Sequence, residues 1–569
     1  MASWLTSFIM RDTGRFLLLA AALIGVVFVL LRLWSPSSLQ KLERLAASRG
    51  CWLPISLLVL SGYLVLLLLN TTYPGYLEHI EPNIASVSYL LAKGAPLYHD
   101  VSSAQRYSFP YGPMAYLPYA WALQAFGATV GSLKFVVLLA NVALLALMFG
   151  AYAKILDRAG AVLVTAVVAV FFLYYDYLFQ VRGDVLVVFL VALGLYAVLR
   201  LPAKMAALLL AMACAAAVDI KITAVLYFVP LLVLLCEQVG WQVTALVVVT
   251  VSGLALLPFL SPSISLVAYF DWLRLMSRQS LSSMEFVREV KLLSLVLAPL
   301  ALLLWNLGRK STACLSSYLR RNYHFVLALA VSIAAIGISS CKLGAGPHHF
   351  MPFYPLLGYL GADIFHVSTM IAGARQPVAW NISPLLWTWL GMAIAVLALI
   401  PSINLFATLF GSRQHMATVA NDLRYVMQTY AGDAIEMGYG GWNERYRLTY
   451  SRPALVFAGN PLTVDAVALG DMQFAGVTIP PSTLEYLDQC RTRIWLVPKG
   501  DLPFAMVNVY SLMDPQHFPK REVFSDDFRD IFFRRYTKQG SSRYFDIWKC
   551  TTGAPNSLPQ TAASQPLHQ

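Results

Sequence analysis

GPMAYLPYAWALQAFG, residues 112–127, is the stretch on which the topology of this chain turns. It is only moderately apolar, carries Pro113 and Pro118, and is dense in aromatic side chains at Tyr116, Tyr119 and Trp121. Around it lies a chain of 569 residues that is 58% hydrophobic, with a mean hydropathy of +0.64. So apolar a composition exceeds what a soluble core requires and places the chain in a bilayer.

A spanning helix needs about twenty mostly apolar residues. The sequence predicts such helices over Arg15–Trp34, Trp52–Asn70, Leu133–Ala153, Ala161–Leu178, Asp184–Arg200, Trp241–Leu260, Leu292–Leu307, His324–Cys341, Phe350–Phe365 and Leu385–Phe410. Between Ala203 and Val239 it reads as a helical pair broken at Asp219-Ile220-Lys221. The total is about twelve spans. The first apolar run is too long for a signal-peptide core and shows no small-residue cleavage site, so it is expected to be a retained helix.

Only 12% of the residues are charged, yet the net charge is +12, so the basic excess sits in the connections. Lys and Arg there mark the cytoplasmic side. Four connections are basic: 32–49 with Lys41 and Arg44, 154–158, 200–204, and 309–321 with Lys310 and Arg320. If residues 112–127 crossed the bilayer, the first two would face opposite sides. If they lie in the interface, all four agree, and the Tyr and Trp content suits that position. The stretch therefore reads as a juxtamembrane helix, which leaves Arg11 and Arg15 outside. The outer face then collects residues 71–111, Arg182-Gly183-Asp184, Asp219-Ile220-Lys221, residues 261–291, residues 342–349 and everything after Phe410.

The basic residues are scattered over short loops and form no stripe, which excludes a nucleic-acid binder. Of the seven cysteines, Cys51, Cys214, Cys236, Cys314 and Cys341 lie in or beside apolar runs as packing residues. Cys490 and Cys550 fall in the tail and can pair if the tail occupies an oxidising compartment. After Gly411 the apolar runs shorten to strand length at Ala454–Ala458, Arg493–Val497 and Tyr544–Trp548. They alternate with helical segments at Asn421–Tyr430 and Pro481–Gln489, the second opened by Pro480-Pro481-Ser482.

The expected fold is thus mainly α, a polytopic helical bundle with a small C-terminal α/β domain. Residues 1–51 hold an extra helix and a basic loop, 52–410 a membrane domain whose external loop is 71–130, 411–550 the soluble domain, and 551–569 a disordered tail rich in Pro, Ser, Ala and Gln.

The first outer loop places Glu78 and Glu81 just after a span and just before a helix expected over Asn83–Ala92. Pro82 suits that helix's first turn and leaves Glu81 at its cap, where a carboxylate satisfies free N–H groups and complements the dipole. An acidic group at the membrane edge beside apolar surface is equally placed for proton transfer. Asp184 heads a span and can cap it, with Arg182 reaching the head groups. Lys221-Ile222-Thr223 interrupts an apolar pair. Lys342, His348 and His349 sit in a glycine-rich turn that suits an anion, and the adjacent histidines alone lack a metal-binding set. Arg274 and Arg278, interleaved with Tyr269, Phe270 and Trp272, suit an interfacial helix that gates an apolar tail and a phosphate.

Taken in order, these motifs resemble the GT-C superfamily of membrane glycosyltransferases, of the bacterial kind related to protein mannosyltransferases and aminoarabinose transferases. The likeness covers roughly Trp52 to Phe365. Leu77-Glu78-His79-Ile80-Glu81-Pro82-Asn83 through Lys93-Gly94 is similar to the family's acidic first external loop, and Tyr111-Gly112-Pro113 to the aromatic segment that follows. Arg182-Gly183-Asp184 looks like the Arg-x-Asp at the head of a later span, Lys221-Ile222-Thr223 like a Lys-x-Thr turn, and Lys342-Leu343-Gly344-Ala345 like a Lys-x-Gly-Ala turn. Relatives commonly carry Asp-Glu or Glu-Gly-Trp-Asn where this chain has Glu-His-Ile-Glu-Pro-Asn, and counting back from Gly94 favours Glu81 over Glu78.

The resemblance implies a polyprenyl-phosphate sugar as donor, and a cell-envelope glycan, lipid or protein as acceptor. It implies a bacterial inner membrane with the tail in the periplasm, and no nucleotide; it leaves the metal requirement open. Glu81 would be the base, with Arg182, Lys221, Lys342, His348 and His349 on the phosphate and Asp184, Thr223, Tyr111, Arg274 and Arg278 in support. The rival readings are a transporter or lipid flippase, for which the Asp219–Thr223 break speaks, a ligase or polymerase of lipid-linked glycans, and a noncatalytic receptor.

Overall fold

The computed structural model describes residues 49–278, 281–342, 345–373, 401–508, 511 and 520–551. The expected span Arg15–Trp34, most of the basic connection after it, the first part of Leu385–Phe410 and the tail from residue 552 lie outside the described residues.

Among the described residues, seven helices are long and apolar enough to cross a membrane: Trp52–Thr71, Val130–Tyr152, Gly183–Arg200, Ile222–Val239, Trp241–Leu260, Ser283–Arg309 and Tyr323–Ser340. Arg158–Tyr174 and Ala203–Val218 are shorter apolar helices. The sequence carries its own start signals. Thr129 accepts from the Ser132 amide at the head of Val130–Tyr152, Asp157 from that of Gly160 at the head of Arg158–Tyr174, and Ser282 from that of Glu285, each satisfying an amide the helix cannot. The segment 112–127 forms a 3-10 turn, Pro113–Ala115, and a ten-residue helix, Leu117–Phe126. At 1.5 Å per residue it is about 15 Å long, half of what a crossing needs. The expected span Ala161–Leu178 breaks after Tyr174 into the 3-10 turn Asp176–Phe179. Phe350–Phe365 instead begins as the 3-10 helix Pro347–Phe353 and continues as Tyr354–Gly373.

The chain forms two compact units. One comprises the described residues of Met1–Pro74, Tyr111–Ser261 and Ser280–Arg413; the other those of Gly75–Pro110, Pro262–Gln279 and Gln414–Gln569. Several polar side chains buried between the helices of the membrane unit are paired, as apolar surroundings favour. Lys134, fully buried, donates to Asn70 Oδ1 at 3.2 Å and to the Tyr73 carbonyl at 3.1 Å. Asn141 accepts from the Tyr63 hydroxyl at 2.6 Å and donates to the Leu178 carbonyl at 2.8 Å.

The second unit is built on a four-stranded sheet in the order β1-β2-β4-β3, with β1 Ile435–Met437, β2 Ile494–Pro498, β3 Tyr536–Ser541 and β4 Phe545–Cys550. β1 and β2 are parallel and the other pairs antiparallel. Ile435, Ile494, Leu496, Phe545 and Ile547 pack against Val419, Leu423 and Val426 of helix Arg413–Thr429. The strand expected over Ala454–Ala458 is a helix, Arg452–Phe457. Five apolar residues carry no period, and Pro453 in the first turn favours the helix. Cys490 and Cys550 form a disulfide with Cα atoms 6.0 Å apart.

The first outer loop, read as part of the membrane domain, is built into this second unit. Arg106 pairs with Val464 as a parallel bridge, Ser482 Oγ donates to the Ser102 carbonyl at 2.5 Å and Thr483 Oγ1 to that of Ala104 at 2.8 Å. Helix Leu266–Met276 joins them through Trp272 Nε1, which donates to the His99 carbonyl at 2.8 Å.

Candidate active site

In the membrane unit, the site is assembled by glycines. Gly112 donates its amide to the Ile220 carbonyl at 3.0 Å while the Met114 amide reaches the Asp219 carbonyl at 3.1 Å. A Cβ on Gly112 would stand 2.0 Å from the Asp219 oxygen, and one on Gly183 2.5 Å from Ile220 Cγ2. Only hydrogen atoms at both positions let the turn 219–221 settle between the 112–114 backbone and the head of helix Gly183–Arg200.

That docking carries Lys221 to Asp184. Lys221 Nζ lies 2.6 Å from Asp184 Oδ1, and Arg182 Nε 2.8 Å from Asp184 Oδ2. All three side chains are at most a tenth exposed. His348 Nε2 stands 3.9 Å from the same Oδ1. The Arg182 guanidinium also lies over the Tyr177 ring, 4.6 Å from its centroid. Tyr119 donates its hydroxyl to the Arg182 carbonyl at 2.8 Å. Lys221 Nζ is 5.6 Å from the centre of the Tyr111 ring.

His348 lies between two rings tilted against it, 4.7 Å from Tyr177 and 4.6 Å from His349. Burial drives the His348 imidazole well below its ordinary range against the pull of Asp184. Burial, then the Lys221 ammonium, push His349 down to about 3. Both rings are therefore neutral at physiological pH. The Nδ1 atoms of both have no hydrogen-bond partner within the described residues. With two cations against one carboxylate, the cluster holds one net positive charge in apolar surroundings, an arrangement that attracts an anion.

The structure thus brings Arg182, Asp184, Lys221 and His348 together, with His349 and Tyr111 beside them. Thr223 follows in the 3-10 turn Ile222–Ala224. Lys342 is half-buried, and its backbone bridges to Leu281. Sequence reasoning missed Tyr177 and Tyr119; the run Tyr174-Tyr175-Asp176-Tyr177 at the end of an apolar helix was the available signal.

Glu78, Glu81, Arg274 and Arg278 belong to the second unit. Arg274 and Arg278 are exposed at the end of helix Leu266–Met276. The helix expected to begin at Asn83 starts at Ile80, so Glu81 stands in its first turn and is not the cap. Its carboxylate turns back instead: Oε1 accepts from the Leu77 amide at 2.5 Å and the Glu78 amide at 3.1 Å, and the side chain is fully buried. Glu78 accepts from the Ile80 amide at 2.9 Å and pairs with His79. Arg452, buried and ion-paired with Asp465, donates to the His79 carbonyl at 3.3 Å and so anchors the glutamate loop. Burial opposes the Arg452 charge, but Asp465 and the tyrosines nearby hold the guanidinium above its usual range. Among the described residues, no group of three or more His, Cys, Asp or Glu side chains could hold a metal ion.

No family model and no curated protein matches this sequence. Solved structures do. The chain is similar to ArnT from Cupriavidus metallidurans in its apo state at 13% identity and a TM-score of 0.52, covering 86% of this chain and 97% of that one. A structure of the same ArnT bound to undecaprenyl phosphate aligns over 89% and 99% of the two chains at 13% identity and a TM-score of 0.49. The apo oligosaccharyltransferase of Archaeoglobus fulgidus aligns over 85% of this chain and 74% of its own at 12% identity and a TM-score of 0.42. The apo ArnT match shows the fold: this is a multi-pass membrane protein with the architecture of that ArnT structure. At 13% identity the likeness is one of architecture, and function rests on the site.

Proposed function

We propose that this chain is a membrane glycosyltransferase that moves a sugar from a polyprenyl-phosphate donor to a cell-envelope acceptor, a glycan, lipid or protein, on the periplasmic face of a bacterial inner membrane. The observation that carries the reading is the pairing of Arg182 and Lys221 on Asp184 at the ends of apolar helices. A buried carboxylate holds two cations in fixed positions, so they meet an incoming phosphate without reorganising. Charge grows on that phosphate as the bond to the anomeric carbon breaks, and two cations held beforehand stabilise it. Lys342 and the neutral His348 and His349 complete the phosphate seat in this reading, with Thr223 and Tyr111 supporting it.

Glu81 is the proposed base. It takes the acceptor hydroxyl's proton as the oxygen attacks the anomeric carbon from the face opposite the phosphate, inverting the centre. Two backbone amides fix its orientation, which a general base requires. Glu81→Gln keeps an oxygen for both amides and removes the basicity, so it should abolish transfer while the protein still folds. Turnover near wild type in that variant would move the role to Glu78. The whole reading is tested in proteoliposomes with radiolabelled polyprenyl-phosphate sugars. Sugar released from the lipid and recovered on an acceptor supports it, with Arg182→Ala and Lys221→Ala each lowering the rate by about 10²–10³. Passage of the intact lipid between leaflets with no chemical change would replace it with a flippase.

A further inference from the structure

Two buried carboxylates in the membrane unit take no part in the phosphate cluster. Glu285 and Glu289 lie one turn apart near the N-terminus of helix Ser283–Lys310, ahead of its apolar stretch, at 1% and 2% exposure. A buried ionisable side chain calls for a partner that offsets its lost solvation. Glu285 has part of a structural explanation, since it sits in the first turn and pairs with Arg288 at 2.7 Å. Glu289 has no cation paired with it among the described residues, and its carboxylate meets the Ser340 hydroxyl and the weak donor Cys341 Sγ, the latter 3.8 Å from Oε2. Glu285 Oε2 and Glu289 Oε1 are buried without any hydrogen-bond partner in the described residues. An acceptor left unmade there costs roughly 1–3 kcal/mol, and more when charged, which a donor-rich ligand would recover.

The second observation is independent of the carboxylates. Tyr174, Tyr175 and Tyr177 line the turn after helix Arg158–Tyr174, all half-buried. The Tyr175 and Tyr177 rings stack at 5.9 Å, and Tyr177 meets the tilted ring of His348, whose Nδ1 is buried without a hydrogen-bond partner in the described residues. Tyr177 also carries Arg182 on its face. At the other end, helix Ser283–Lys310, which carries both glutamates, packs on the 3-10 helix Pro347–Phe353 that holds His348, and Glu285 is among the charges acting on Tyr175. An aromatic shelf runs from the cationic cluster toward unfilled carboxylate acceptors.

We propose that Tyr175 and Tyr177, with Glu285 and Glu289, form the seat of the donor's sugar, the aliphatic C–H face of a hydroxylated ring packing on the tyrosines while its hydroxyls donate to the carboxylates. This rests on the glycosyltransferase reading. A pocket that is mostly apolar and carries a few placed acceptors is how a small polar ligand is oriented. Because hydroxyls matched to otherwise unpaired acceptors discriminate more strongly than apolar fit, these residues would set which sugar is accepted.

The test uses the full chain in lipid nanodiscs and measures affinity for undecaprenyl phosphate and for a panel of undecaprenyl-phosphate hexoses and pentoses. In the wild type, one glycosylated lipid should bind at least about tenfold tighter than the bare lipid phosphate, which is about 1.4 kcal/mol. Tyr175→Leu and Glu289→Gln should remove that increment and leave bare-lipid affinity unchanged, with Tyr175→Phe retaining most of it. A wild type that binds the bare lipid with no increment for any sugar overturns the sugar seat and leaves the phosphate site standing. So do variants that weaken both lipids equally or preserve the increment. A wild type that binds neither lipid overturns the glycosyltransferase reading and this proposal together.

Discussion

Lys221 Nζ and Asp184 Oδ1 are 2.6 Å apart although 37 residues separate them in the chain. Asp184 is the hub of the cluster, holding Lys221 on one oxygen and Arg182 on the other. Both cations are paired with this one buried carboxylate.

Asp184→Asn should therefore harm both structure and chemistry. It leaves two buried cations against a neutral amide, and removing one partner of such a set costs roughly 3–5 kcal/mol. The melting temperature in detergent should fall, and transfer activity should drop by at least as much as in Lys221→Ala. Combining Asp184→Asn with Lys221→Met should restore part of the stability and none of the activity; fully additive stability losses in the double variant would show that the pair is not coupled.

Gly112→Ala introduces one methyl group where the nearest atom is the Asp219 backbone oxygen at 2.0 Å. Backbone cannot rotate away as a side chain can, so the 219–221 turn must shift, with a cost of about 1–3 kcal/mol. Lys221 moves with that turn. The expected result is a fall in donor affinity larger than that caused by Gly62→Ala, where a Cβ would meet nothing within 4 Å. Equal effects in the two variants would break the link between this glycine and the site.

His99 makes the second unit acid-sensitive. Burial first, then the nearby Arg106 guanidinium, lower it from 6.5 to about 4, and its Nε2 is buried without a partner in the described residues. Above pH 6.5 the folded and unfolded chains are both neutral there, and stability is whole. Between 6.5 and about 4 only the unfolded chain takes up the proton, so stability falls by up to about 1.4 kcal/mol per pH unit. Thermal midpoints at pH 7.5 and pH 5 should differ more in the wild type than in His99→Phe, and parallel curves would assign the acid sensitivity to another group.

Cys490–Cys550 closes a loop of 60 residues around β2, helix Asp526–Arg535 and β3. A crosslink of that length stabilises a domain by about 2–4 kcal/mol. Cys490→Ser with Cys550→Ser should lower the unfolding midpoint of the second unit, and dithiothreitol should do the same to the wild type while leaving the double variant unchanged. A wild type indifferent to reductant would show that the bond contributes nothing to this unit's stability.

Much of the architecture was legible because it depends on local composition. Twenty apolar residues in a row can satisfy their backbone in lipid only as a helix, so most spans could be read directly. The parity of the basic loops was enough to deny residues 112–127 a crossing, and the ten-residue helix there is too short for one. Reading failed where local signals are ambiguous. The run Ala454–Ala458 has no period that separates strand from helix. Glu81 looked like a forward cap because the sequence does not say that the chain before it folds back onto the carboxylate.

The sequence by itself determined that the chain is membrane-embedded, where most helices run, and which polar residues interrupt them. Only the tertiary structure decided how those residues are used. Asp184 gathers Arg182, Lys221 and His348 from three separate segments because two glycines let a turn approach within contact of a helix head. The outer loop joins the tail through backbone pairing at Arg106 and Val464, 358 residues apart in the numbering. Such pairings depend on shape and on hydrogen-bond partners supplied from afar, and neither is encoded in the composition or spacing of any one segment.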